Sequence, residues 1–174
     1  MARRALSGVV LVGGASSRFG SPKALAKLDG ETFVERARRV LGEACDEVLV
    51  VGKNGELPFD VIDDASEVRA PIAGVVAGLR AAANDVVVFL PVDCPRITAE
   101  VVRALGAACL DAAVPQTGPL PGAWAKSALP VLERRLAEGP FALYRAYEDL
   151  DVAQLEIDPQ LLADVDTPRE LENL

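Results

Sequence analysis

Residues 8–23 constrain this chain more than any other stretch: Gly8-Val9-Val10-Leu11-Val12-Gly13-Gly14-Ala15-Ser16-Ser17-Arg18-Phe19-Gly20-Ser21-Pro22-Lys23. Four apolar, mostly β-branched residues, Val9 to Val12, predict a strand that runs straight into a loop of glycines and small hydroxyls. Such a loop sets several backbone N–H groups at one edge of a sheet, where phosphate oxygens can approach them closely. Arg18 and Lys23 add the positive charge that a polyphosphate requires. The stretch therefore predicts a nucleotide-phosphate loop at the start of an α/β domain. An ordinary strand-to-helix connection with spare glycines is the alternative.

Two better-known phosphate loops do not fit. Gly20 is followed by Ser21-Pro22-Lys23 and not by the Gly-Lys-Ser/Thr ending of a Walker loop. The spacing of Gly13, Gly14 and Gly20 misses the dinucleotide fingerprint, and Pro22 opposes a helix running through the loop.

The rest of the chain alternates between strand and helix signals. Helix-period apolar residues mark Thr32–Ala44, and Glu47–Val51 reads as a buried strand. Val61-Ile62 is a short strand ending in Asp63-Asp64. Pro71 opens a helix to about Ala82, suiting the first helical turn. Val86–Leu90 is a continuous apolar run, expected in a central parallel strand, and it ends in Pro91-Val92-Asp93-Cys94-Pro95. Thr98 caps a helix to about Leu110. Strands at Ala112–Val114 and Gly122–Ala125 follow, then a helix at Ala128–Ala137 and a shorter one near Phe141–Tyr147. Strand Val152–Glu156 leads to a further extended stretch at Leu161–Val165, and Thr167-Pro168 caps a last helix. This order predicts a mostly parallel sheet covered on both faces, folded as one domain over residues 1–174. Loop 13–23, Asp63-Asp64 and Asp93 all follow strands, so they are expected at the carboxyl edge where such sheets bind ligands.

Composition narrows the chemistry. With no histidine, histidine triads and histidine metal sites are excluded, and any metal must be held by oxygen, which points to Mg²⁺. A net charge of −8 opposes nucleic-acid binding but not the binding of a nucleotide in a local cationic site. No apolar run approaches the roughly twenty residues of a membrane span. Three cysteines without metal-like spacing suit a reducing compartment, so a cytoplasmic location is expected.

Asp93, stiffened between Pro91 and Pro95 at the end of a buried strand, is the expected metal ligand; capping of a turn is the other reading. Asp166, in Ala163-Asp164-Val165-Asp166-Thr167-Pro168, is either a second ligand or part of the helix cap. Asp164 is expected to face away from Asp166 if the segment is a regular strand. Gly74 and Gly78 are read as close helix–sheet packing, Trp124 as core, Cys94 as a small buried thiol, and Lys53-Asn54 as a turn.

Together these residues resemble the molybdenum cofactor guanylyltransferases, the MobA-type family, whose members open with Leu-Ala-Gly-Gly-x-Ser-x-Arg-Met-Gly-x-x-Lys. Leu11 to Lys23 is similar to that motif, Pro71-Ile72-Ala73-Gly74 to a Gly-Pro-Leu-Ala-Gly segment, and Asp93-Cys94-Pro95 to an Asp-x-Pro metal motif. Pro119–Leu129 resembles a Pro-Leu-x-Ala-Leu-Tyr-x-x-Ser stretch. The resemblance implies a Rossmann-like three-layer α/β sandwich of the nucleotide-diphospho-sugar transferase type. It implies that GMP passes from GTP to molybdenum-loaded molybdopterin with Mg²⁺, and that handover partners lie among cofactor-biosynthesis proteins and molybdoenzymes. It further implies that Leu11, Val12, Gly13 and Gly14 contact the nucleotide, Lys23 phosphate, Asp64 the nucleoside, and Asp93 both GTP and Mg²⁺. Arg18, Lys23 and Asp93 would be catalytic, with Asp93 and Asp166 on the metal. The chain departs from the family in three places: Asp164 and Asp166 stand where many members have asparagine, Lys53 aligns with another asparagine, and Val114–Ala123 is short. A cytidylyltransferase, a sugar-phosphate nucleotidyltransferase and a non-catalytic nucleotide-binding module are the competing functions.

Overall fold

The computed structural model describes residues 2–13, 22–53 and 57–174. Gly14, Arg18, the hydroxyl-bearing Ser16 and Ser17, and Asn54 lie outside the described residues.

The apolar run at the N-terminus forms β1 (Leu6–Val12), and its pleat divides the molecule. Val10 and Val12 point into one apolar layer, while Val9 points into the other. Val86–Pro91 (β6) pairs parallel with β1 on one side, and Glu47–Gly52 (β4) pairs parallel on the other. The short β5 (Ile62–Asp63) extends the sheet beyond β4. Beyond β6 lie β8 (Gly122–Ala125), β7 (Ala112–Pro115) and β9 (Val152–Leu155), giving the order β5-β4-β1-β6-β8-β7-β9. β8 runs antiparallel to both neighbours, so the sheet is mostly but not wholly parallel.

Helices cover both faces, as the alternating pattern predicts. α1 (Phe33–Ala44) and α3 (Ala99–Ala108) pack on the layer containing Val10, Val88 and Leu90. α2 (Pro71–Ala81) and α4 (Leu129–Glu138) cover Val9, Val87, Phe89 and the fully buried Trp124. The helix starts follow local chemistry. Thr32 accepts from the Glu35 N–H while Glu35 returns to the Thr32 N–H, a reciprocal cap. Pro71 opens α2, and Thr167 with Glu170 builds the same reciprocal cap on the short α5 (Pro168–Glu172).

Gly74 and Gly78 hold α2 against the sheet. A Cβ on Gly78 would stand 2.5 Å from the Phe89 ring, and one on Gly74 2.9 Å from Leu11. The expected packing role is therefore correct. At the amino edge of the strands, the buried Ser7 hydroxyl donates to Glu47 and accepts from Asn84, tying β1, β4 and the approach to β6 together.

Two local expectations are corrected, and one element is added. Residues 161–165 form no strand: Leu161 and Leu162 close a turn on Asp158 and Pro159 before the chain extends toward α5. The short helix after α4 is a 3-10 helix over Leu143–Asp149. A hairpin of β2 (Lys27–Leu28) and β3 (Glu31–Thr32) turns on Asp29 and Gly30, both at positive φ, which Asp-Gly tolerates well.

Candidate active site

Strand order reverses beside β1: later strands lie outward through β4 in one direction and through β6 in the other. In open parallel sheets a crevice forms at the carboxyl ends of such strands. Here those ends are Leu11, Val12 and Gly13 on β1 and its exit, and Pro91, Val92 and Asp93 after β6. The Val92 N–H donates to the Leu11 carbonyl at 3.1 Å, stitching the two exits together. Gly13 is exposed, and a Cβ there would meet nothing within 4 Å among the described residues.

Asp93 does not stand alone. Its carbonyl accepts the Val165 N–H at 2.9 Å, drawing the C-terminal segment alongside the β6 exit. Val165 itself is fully buried in the core. In an extended segment, residues on either side of an inward side chain project together to the opposite face. Asp164 and Asp166 accordingly converge with Asp93, one carboxylate oxygen from each lying within 4.8 Å of the others. This corrects the expectation that Asp164 faces away: the i, i+2 spacing was itself the signal.

Lys23 opens a 3-10 turn, Lys23–Leu25, and reaches into this cluster. Its ammonium donates to Asp166 Oδ1 at 2.7 Å and lies 3.5 Å from Asp93 Oδ2. Burial pulls its pKa down, but the hydrogen bond to Asp166 and the charges of Asp93 and Asp166 outweigh that and leave it above the ordinary lysine value. Burial pushes the Asp93 carboxyl up, with Lys23 opposing and Asp164 and Asp166 adding to the rise. The α5 cap belongs to Thr167 and Glu170, and the carboxylate of Asp166 turns to Lys23 instead. Cys94 is buried, and its thiol is pushed well up, first by burial and then by the adjacent Asp93 charge; it is no nucleophile.

The donor set suits a hard divalent cation. All three groups are carboxylates, they converge, and a cationic ammonium already sits among them. Mg²⁺ takes oxygen ligands at about 2.0–2.1 Å and shares itself between one or two carboxylates and phosphates. Asp93 and Asp166, with Asp164 beside them, could hold it.

A second cluster lies at the ends of β4 and β5. Lys53 Nζ contacts both oxygens of Asp64, at 2.9 and 3.2 Å, and donates to the Ser66 carbonyl at 2.5 Å. Asp64 Oδ1 also accepts the Ser66 N–H at 3.0 Å. The Asp64 side chain is only 7% exposed, so Lys53 supplies the charge that permits its burial. The sequence reading took Lys53 for a turn residue and missed this pair. A separate groove of about 440 Å³ runs along α1 and the start of α3, and none of Lys23, Asp93, Asp164 or Asp166 lines it.

A convergent cation-and-carboxylate site at the switch point of a doubly covered sheet defines a phosphate-handling enzyme of the nucleotide-binding α/β class. The MobA-like NTP transferase domain matches residues 8–152, and the chain belongs to that family of nucleotidyltransferases. A protein of Desulfosudis oleivorans named molybdenum cofactor guanylyltransferase is 28% identical, the match covering 97% of this chain and 93% of that one. A Bacillus cereus relative with the same name, there qualified as probable, is 36% identical over 54% of this chain and 52% of its own length. Among solved structures, the molybdopterin-guanine dinucleotide biosynthesis protein A of Archaeoglobus fulgidus superposes with a TM-score of 0.79 at 25% identity, covering 96% of this chain and 95% of that one.

Proposed function

We propose that residues 1–174 act as one guanylyltransferase domain that moves GMP from GTP to molybdenum-loaded molybdopterin. One observation carries this reading: Lys23 and the carboxylates of Asp93, Asp164 and Asp166 meet beside the β1 exit, in a chain matched nearly end to end by a relative named for that reaction.

An oxygen of the acceptor phosphate attacks the α-phosphorus of GTP in line. The new P–O bond forms as the bond to the bridging oxygen breaks, and pyrophosphate leaves with that electron pair. Catalysis is positioning and charge neutralisation, without a covalent enzyme nucleophile. Leu11, Val12, Gly13 and Gly14 would contact the nucleotide. Arg18 and Lys23 neutralise the departing pyrophosphate. Asp64, held by Lys53, contacts the nucleoside. Mg²⁺ on Asp93 and Asp166 would withdraw charge from the α-phosphate. Enzymes that make or insert the pterin cofactor are the expected handover partners, in the cytoplasm. No described helix is long and apolar enough to cross a membrane.

The test is pyrophosphate release with Mg²⁺ and molybdenum-loaded molybdopterin, offering GTP, CTP, ATP and UTP in parallel. Release with GTP and a pterin–guanine dinucleotide product supports the proposal. Release with CTP alone moves the chain to cytidylyl transfer. Silence with all four removes molybdopterin as acceptor, and sugar phosphates are then tried.

A further inference from the structure

Lys23 occupies an unusual position for a residue assigned to phosphate. Its ammonium lies 2.7 Å from Asp166 Oδ1 and 3.5 Å from Asp93 Oδ2, and Asp164 completes the ring of oxygens. An ion bonded to the Asp93 and Asp166 oxygens at about 2.1 Å would need the same wedge of space. From the geometry we infer that Lys23 and the divalent cation are alternative occupants of one seat formed by Asp93, Asp164 and Asp166. The inference rests on the nucleotidyltransferase reading and deepens it.

The electrostatics favour exchange over co-occupancy. Among the described residues, one ammonium faces three carboxylates, and it pairs with Asp93 and Asp166. A bare metal ion must displace the ammonium from Asp93 and Asp166 with no incoming anion as its destination. A nucleotide triphosphate supplies that destination. Lys23 sits where the phosphate loop ends, on a flexible four-carbon stem, and its side chain is 19% exposed. With a triphosphate bound, the Lys23 ammonium would turn to the phosphates, leaving Asp93, Asp164 and Asp166 to hold a divalent cation that would supply charge neutralisation. Metal alone therefore binds weakly, and metal with nucleotide binds tightly. Asp164, to which the sequence reading gave no ligand role, is a positioning carboxylate for the metal in this scheme.

The experiment is Mn²⁺ binding to the nucleotide-free enzyme, read by the loss of the free-ion EPR signal. Wild type is compared with Lys23→Met, Lys23→Gln and Lys23→Arg. The expected result is at least a tenfold gain in Mn²⁺ affinity for the two neutral variants and none for Lys23→Arg. In the Lys23→Met background, Asp164→Asn should lower that affinity again, at least threefold. Neutral variants that bind Mn²⁺ no better than wild type would overturn the shared seat, and so would an equal gain in Lys23→Arg. Failure here is distinguishable from failure of the guanylyl reading: wild-type pyrophosphate release with GTP would survive the first and not the second.

Discussion

The Val165 N–H donates to the Asp93 carbonyl at 2.9 Å, across a separation of most of the C-terminal half of the chain. That single backbone hydrogen bond sets the register by which two late aspartates meet one from the central strand. Val165 is fully buried, so the bond is fixed by the core beneath it and not by the acids above. The site is thus built on packing, and its side chains can be altered without unfolding it.

Asp93→Ala should therefore lower kcat by roughly two orders of magnitude or more while leaving the melting temperature within a few degrees. Steady-state pyrophosphate release and thermal melts check both halves. Near-wild-type turnover would remove Asp93 from the metal role.

Lys53→Met should destabilise the protein by about 2 kcal/mol, because it leaves the Asp64 carboxylate buried without its cation. The loss falls short of a fully enclosed pair because Lys53 is itself 36% exposed. Adding Asp64→Asn should restore part of the loss. Urea unfolding of the two single variants and the double variant gives the coupling, and simple additivity would show that the pair contributes nothing.

Two glycines should respond in opposite directions. A Cβ on Gly52 would lie 1.6 Å from the Val12 carbonyl oxygen, on the backbone of a paired strand, so Gly52→Ala should cost about 3 kcal/mol. Gly42 is exposed within α1 and a Cβ there meets nothing within 4 Å among the described residues, so Gly42→Ala should gain about 0.5–1 kcal/mol. Chemical denaturation of both variants measures the contrast.

Asp46 predicts part of the acid response. The Leu6 N–H, and then Arg3, hold its carboxyl below the ordinary value of 3.8. A depressed folded-state pKa stabilises above the unfolded value and loses that contribution as pH falls through the folded one. Asp46→Asn should melt below wild type at pH 7, and the two curves should converge as pH falls below the ordinary carboxylate value of 3.8. Parallel curves across the whole range would assign the effect to shape and not to charge.

What could be read in the sequence was what depends on neighbours in the chain. Val86–Leu90, the Thr32 cap, Pro71 and Thr167-Pro168 signal their elements within a few residues, and those elements are where they were expected. Of the candidate site, the sequence marks Lys23 and Asp93 as candidates, and the structure brings the two side chains together. The rest depends on distant partners. Leu161 to Val165 is apolar enough to imitate a strand, yet its inward residues serve the core without pairing in the sheet. Lys53 finds Asp64 only because β4 and β5 run parallel, and β8 is reversed by a connection whose sequence carries no orientation signal. Asp164 was misassigned by a wrong inference about alternation, although the spacing itself was informative.

The late arrival of Asp164 and Asp166 has a consequence for synthesis. The central strands, β1, β4 and β6, are complete by residue 91, and most of the sheet can assemble while the ribosome is still working. The acid trio forms only when the final segment lies down beside Asp93. A chain interrupted shortly before residue 164 would lack two of the three carboxylates that converge there.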